Sequence, residues 1–164
     1  MRPARLADNT ALAELDAAAW TPESGFPSVM SRAAPGPPTF FTADSPPDAH
    51  LLAVLGRRVV GYIRLKVPTH LPENAHVIQI QGLAVDPGHR RRGIATALIT
   101  AAEQLLRDRG TRKLSLRALS TNHEAIALYE RLGFISEGVL REEFFINGSY
   151  VDDLLMAKYL IHEA

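Results

Sequence analysis

The chain contains no cysteine among its 164 residues. Disulfides, thiolate metal sites and a cysteine nucleophile are thereby excluded. It also lacks a surplus of either charge, with 18 basic and 18 acidic residues. General affinity for nucleic acid or an anionic membrane draws on a positive surplus, so neither is an expected partner. No apolar run approaches the roughly 18 residues that a spanning helix needs. The first residues, Met1-Arg2-Pro3-Ala4-Arg5 and soon Asp8, carry no signal-peptide core, and a cytoplasmic location is the expectation. The six histidines, at 50, 70, 76, 89, 123 and 162, show no metal-ligand spacing, so no metal site is expected. No Gly-x-Ser-x-Gly elbow, P-loop or three-glycine dinucleotide fingerprint is present, and no segment repeats.

What remains is ordinary globular composition, 46% apolar and 22% charged, in a length that fits one domain spanning 1–164. Asn9 to Trp20 places Leu12, Leu15, Ala19 and Trp20 at helical spacing. Thr21 to Pro47 holds seven prolines and reads as irregular structure with one short helix near Ser28 to Arg32. A stretch of that length is either a binding wall or a surface loop. Leu51 to Leu55 and Val59 to Val67 form a hairpin. Ala75 to Val85 is the strongest strand, with Val77, Gln79, Gln81, Leu83 and Val85 on one face and Ile78, Ile80 and Ala84 on the other. A helix follows from Gly93 to Arg109, its stripe Ile94, Leu98, Ala101 and Leu105, and Gly110 stops it. Lys113 to Leu119 alternates as a strand. Thr121-Asn122-His123-Glu124 has the capping-box pattern and opens a helix that Gly133 ends. Val139 to Ile146 and Tyr150 to Lys158 flank Asn147-Gly148, a hairpin turn rather than a glycosylation acceptor. The fold class is α/β, a mixed sheet with helices on it.

The chemistry concentrates in QGLAVDPGHRRRGIATALI, Gln81 to Ile99. A strand ends, the chain turns, and a basic glycine-bearing segment opens a helix. Unpaired N–H groups and the helix dipole suit a phosphate there. Gly93 has no side chain to obstruct a close approach, and Arg90, Arg91 and Arg92 add positive charge. On local physics alone, a solvated basic turn before an ordinary helix is the competing reading.

Arg90-Arg91-Arg92-Gly93-Ile94-Ala95 resembles the Gln/Arg-x-x-Gly-x-Gly/Ala signature of the GNAT N-acetyltransferases. GLAVDPGHR before it and NHEAIALYERLGF, Asn122 to Phe134, after it are similar to the same superfamily, in the expected order. So is the ending EGVLREEFFINGSYVDDLLMAKYL. The resemblance covers Leu51 to Lys158 and implies a GNAT-like fold, a central mixed β-sheet flanked by helices, that uses acetyl-CoA. It places the pantetheine arm at Leu83, Ala84 and Val85, and the pyrophosphate at the amides from Arg91 through Gly93, Ile94, Ala95 and Thr96, with Arg90 beside them. It puts Asn122 on the cofactor arm and Tyr129 beside the sulfur.

Tyr129 suits that role because coenzyme A leaves as a thiolate, which a buried phenol can protonate or hydrogen-bond; packing on the sheet is the competing role for its ring. Many relatives carry a glutamate base on the central strand, where this chain has Gln79 and Gln81. Glu73, His76, Glu142, Glu143, Asp152 and Asp153 are candidate bases, or the amine arrives neutral. Trp20, Phe26 and Tyr150, with Gln79 and Gln81, are the expected acceptor contacts. The expected activity is direct acetylation of a small-molecule or peptide amine. Acetylation of a protein N-terminus and a non-catalytic acyl-CoA sensor are the rival readings. The oligomeric state is not fixed, and a homodimer is compatible with the sequence.

Overall fold

A computed structural model describes residues 1–21, 25–26 and 39–161. The helix expected near Ser28 to Arg32 lies outside the described residues. Seven strands form one sheet in the order β1-β2-β3-β4-β5-β7-β6. They are β1 (Arg2–Pro3), β2 (His50–Leu55), β3 (Arg58–Lys66), β4 (Val77–Val85), β5 (Lys113–Leu119), β6 (Ile135–Ile146) and β7 (Ser149–Tyr159). All neighbours are antiparallel except β4 and β5. Helix α1 (Asn9–Ala19) precedes β2, α2 (Ile94–Asp108) joins β4 to β5, and α3 (His123–Arg131) joins β5 to β6. The parallel pair is the one that needs a crossover, and α2 supplies it. Asn147 and Gly148, with φ of 49° and 83°, make the two-residue turn between β6 and β7.

The sheet separates two cores. On one face α2 and α3 bury Ile63, Ile80, Leu98, Ile99, Leu114, Leu116, Tyr129 and Met156. On the other α1 buries Leu12, Leu15, Leu52, Tyr62 and Ala84. The buried stripe of α2 runs through Leu98, Ile99, Ala102, Glu103 and Leu106, one position on from the expected Ala101 and Leu105. The cap of α3 is Asn122, not Thr121: its Oδ1 accepts from Ala125 N at 3.3 Å.

The expected alternation of β4 fails at one point. Arg64 pairs with Gly82, but the next residue, Leu65, pairs with Ile80, so Gln81 is an extra residue bulged out of the ladder. Past the bulge the faces exchange. Ile78, Ile80 and Leu83 therefore all meet the α2 core, whereas Ala84 meets the α1 core. The expectation that Leu83 and Val85 share a face with Gln79 and Gln81 is corrected by that one residue.

Beneath α1, His50 is 1% exposed among Phe40, Phe41 and Tyr62. Its Nδ1 lies 2.9 Å from the carbonyl of Pro46, which fixes Nδ1 as the donor. Burial lowers its pKa, and the positive charge of Arg64 adds to that. The unfolded chain therefore binds this proton more readily than the folded one. Stability is fully present above the unfolded value of about 6.5 and is lost as pH falls from there toward the folded value. Urea unfolding should show wild type losing more stability between pH 7 and 5 than His50→Asn, which keeps the donor to Pro46. Equal losses would assign the acid sensitivity elsewhere.

Candidate functional site

β4 and β5 part company along their length. Their ladder runs from Val77–Lys113 to Ile80–Leu116 and stops. Residues 81–85 of β4 and 117–119 of β5 continue without a mutual partner, which opens a wedge between them. The far side of each strand stays paired, β4 with β3 and β5 with β7. The wedge is therefore rigid, and its β4 wall offers the backbone N–H and C=O groups of Leu83 and Val85, while those of Ala84, between them, turn toward β3. Gly61, opposite Val85, lets α2 seat close by: an added Cβ there would stand 3.1 Å from Leu98 Cδ1 and 3.2 Å from Ile94 Cγ2.

Both walls lead into helix N-termini. After β4, Asp86 locks the turn, accepting from Gly88 N at 2.8 Å and from Arg58 Nη2 at 2.6 Å. Those bonds hold its carboxyl below the usual carboxylate range. Arg91 and Gly93 have φ of 59° and 74°, and Gly93 is the residue from which α2 starts. Alternating backbone hands turn successive N–H groups into a concavity suited to an anion. An added Cβ at Gly93 would meet nothing within 4 Å, so glycine is required there by its left-handed φ rather than by close packing. Arg91 and Arg92 are exposed, with no partner among the described residues. Arg90 is different: its Nη2 donates to the carbonyl of Ala19, tying the turn to the end of α1. Ile94, Ala95 and Thr96 form the half-buried first turn of α2. After β5, the Oδ1 of Asn122 caps α3, which leaves its amide N–H groups for another partner. This end of the sheet fits a phosphate-bearing ligand with an extended arm.

Tyr129 projects from α3 into the α2-side core, 8% exposed, its ring 5.7 Å from that of Phe134. Its hydroxyl has no hydrogen-bond partner among the described residues, and burial raises its pKa to about 12. The group is a permanently protonated donor.

The α1 face of the wedge is polar. Gln81 Nε2 donates to Gln79 Oε1 at 2.9 Å. Arg117 Nε donates to Asp153 Oδ2 at 2.5 Å, and Asp153 is 3% exposed. Trp20 Nε1 and the Tyr62 hydroxyl both donate to Asp16 Oδ1, at 2.7 and 2.5 Å. Phe26 packs edge-on against Phe144 of β6 at 4.8 Å.

The expected site residues divide accordingly. Leu83 to Val85 form one wall of the wedge and Arg91 to Thr96 follow it, Asn122 follows the other wall, and Tyr129 lies in the core on the α2 side with Leu83. Trp20, Phe26, Gln79 and Gln81 belong to its α1 side. Tyr150 does not join them. It is 67% exposed and packs on Phe145, while its neighbour Val151 pairs with Phe144 on the opposite face. Strand parity puts Phe144, with Val151, on the face that Phe26 meets. Glu73 and His76 lie before β4 begins, at the other end of the sheet from the wedge. Glu142 and Asp152 bond each other, backbone N to Oδ1, at 2.8 Å. Asp16 was not among the expected residues; its spacing of four from Trp20 was the available signal.

The chain matches the Acetyltransferase (GNAT) family over residues 11–134. The spermidine N(1)-acetyltransferase of Vibrio cholerae serotype O1 is 39% identical over 83 residues, 48% of this chain and 48% of that protein. The match thus spans about half that relative's length. The L-amino acid N-acetyltransferase AaaT of Escherichia coli K12 is 32% identical over 118 residues, 71% of each chain. Among solved structures, smu.2055 from Streptococcus mutans UA159 shares 27% identity at a TM-score of 0.80, covering 97% of this chain and 98% of that one.

Proposed function

The chain belongs to the acetyltransferase (GNAT) family, whose acyl donor is acetyl-CoA, and from that premise we propose that it transfers the acetyl group directly to a primary amine of a small molecule or peptide. The observation that carries this reading is the wedge, followed at one wall by a turn with left-handed Arg91 and Gly93, and with an unpartnered phenol in the core on its α2 side. With no cysteine to carry an acyl group, transfer takes place within a ternary complex.

In this reading the free edge of β4 at Leu83 to Val85 pairs with the pantetheine amides. The N–H groups from Arg91 to Thr96 take the pyrophosphate, with Arg91 and Arg92 adding charge, and Asn122 donates to the arm. Arg90 acts indirectly, by fixing the turn to α1. Tyr129 donates to the leaving sulfur. The amine enters from the α1 side, past Trp20, Phe26, Gln79 and Gln81. Both relatives are named for amine acceptors, spermidine and L-amino acids, which supports an amine nitrogen without choosing between them.

Acetyl-CoA-dependent release of free thiol across a panel of amino acids, polyamines and peptides tests the reading. Release that depends on an amine supports it, and no release with any amine rejects it. The turn is tested by Gly93→Val. A β-branched residue at positive φ is strained by about 1–2 kcal/mol, and the turn must shift to relieve it. Acetyl-CoA affinity should fall about five- to thirtyfold, since that strain converts at 1.4 kcal/mol per decade. Calorimetry showing wild-type affinity in a folded variant would remove these amides from the binding site.

A further inference from the structure

The amine needs a proton acceptor, and β4 offers glutamines where a carboxylate would serve. Asp16, on α1, brings one to the same place from outside the strand. Tyr62, the partner of Ala84 in the ladder, lies over the bulge: an added Cβ at Gly82 would stand 3.1 Å from its Cε2 and 3.5 Å from its hydroxyl. That hydroxyl donates to Asp16 Oδ1 at 2.5 Å, so the carboxylate is one phenol oxygen away from the start of the wedge. Trp20 Nε1 donates to the same oxygen at 2.7 Å. Two rigid aromatic donors therefore orient the group, and both use Oδ1. Oδ2 is left with no partner among the described residues, on a half-buried side chain facing the side opposite Tyr129.

We propose that Asp16 is the acceptor-side carboxylate of this enzyme: Oδ2 binds the ammonium of the incoming amine and takes its proton. The proposal deepens the acetyltransferase reading and rests on it. One N–H bond of the ammonium breaks and its proton moves to Oδ2. The lone pair so freed forms the C–N bond at the thioester carbonyl, and the C–S bond breaks with its electron pair on sulfur. A second proton leaves the nitrogen as the sulfur gains one, and Asp16 returns its proton to solvent. Of the other carboxylates near this face, Asp153 is committed to Arg117 and sealed, and Glu143 lies 3.7 Å from the same guanidinium, which makes both poorer acceptors. Tyr62, Arg64 and His50 are the ionisable groups that share the surroundings of Asp16. Tyr62 stays protonated, because burial and Asp16 raise its pKa far beyond the working range.

The test uses whichever acceptor wild type acetylates best. With a carboxylate taking the proton, wild-type kcat/KM should be flat from about pH 6 up to the pKa of the acceptor amine. Asp16→Asn keeps the shape and can still accept from Trp20 and Tyr62. It should lower kcat/KM by on the order of 10² at pH 7. Its profile should then climb with unit slope toward the amine pKa, because only neutral amine reacts. Its acetyl-CoA affinity should match wild type. Trp20→Phe, which removes one orienting bond and keeps an aromatic ring, should cost severalfold and leave the profile flat. A wild-type profile that already climbs with unit slope overturns the proposal whether or not Asp16→Asn folds. So does a folded Asp16→Asn with wild-type kcat/KM, or a Trp20→Phe loss as large as that of Asp16→Asn with both profiles flat. A wild type that acetylates no amine rejects the acetyltransferase reading itself and this proposal with it.

Discussion

Tyr129→Phe should slow single-turnover acetyl transfer by on the order of 10² to 10⁴, the usual loss when a positioned proton donor is removed. The ring and its contact with Phe134 survive the substitution, so the effect belongs to the hydroxyl. Burial holds the phenol's pKa near 12, well above the ordinary thiol value of about 8.5. Complete proton transfer from so weak an acid to a thiolate is uphill. A hydrogen bond that stabilises charge as it develops on sulfur is the stronger form of the role, and a water able to replace it would bring the loss toward the lower end of the range. The same pKa fixes a sign: the group stays protonated through the neutral and mildly alkaline range, so any alkaline limb below about pH 11 arises elsewhere. Acetyl-CoA affinity and melting temperature should be near wild type. A folded variant that transfers acetyl at the wild-type rate would return Tyr129 to a packing role.

A second large effect is expected far from the chemistry. Glu103 of α2 is buried, and Lys158 of β7 reaches both of its oxygens, at 2.8 and 2.9 Å. Arg107 Nη2 adds a third bond at 3.2 Å, and its Nε donates to the carbonyl of Leu160. Lys158→Met keeps the apolar stem and deletes the charge, stranding a sealed carboxylate with only a half-exposed arginine. Breaking a buried pair in this way costs about 3 kcal/mol. For a chain of this size that is a fall of roughly 6–12 °C in Tm. Removing both charges is a different matter, because desolvating a pair offsets most of its Coulombic gain. Glu103→Leu with Lys158→Met should therefore recover most of the lost stability. If the double variant is less stable than Lys158→Met alone, the pair is a net source of stability and the desolvation argument fails here.

The legible part of this molecule is local. Apolar periodicity located α1, α2 and the strands, and Asn147-Gly148 located the last turn, because each signal lies within one element. The basic turn before α2 was legible for the same reason, since a strand end, a glycine and a helix start are consecutive. What escaped is long-range or conformational. The bulge at Gln81 exists because β3 pairs around it, and nothing in the composition of β4 marks an extra residue. The misplacement of Tyr150 has a similar origin: strand parity depends on where pairing begins. Gly93 is singled out by the sequence for close approach, whereas in the fold the space around it is open and the constraint is its φ. Asp16 is not legible in the sequence because the only pattern α1 shows there is its apolar stripe. Its meaning appears once Trp20 and a tyrosine 46 residues away converge on one oxygen. Glu103 did interrupt a buried stripe, but its partner sits 55 residues downstream.

The bulge also sets how this strand can change over generations. Substitutions along β4 are judged one side chain at a time, whereas losing the single codon of Gln81 would leave Ile80 beside Gly82 and restore simple alternation with every later residue on the face it already holds. Leu83 would still meet the α2 core and Ala84 the α1 core. A codon gained within the strand has no such outlet and would have to form a second bulge or turn one half of the strand over. Lineages descended from such a chain can shed that one residue without turning the wall of the wedge.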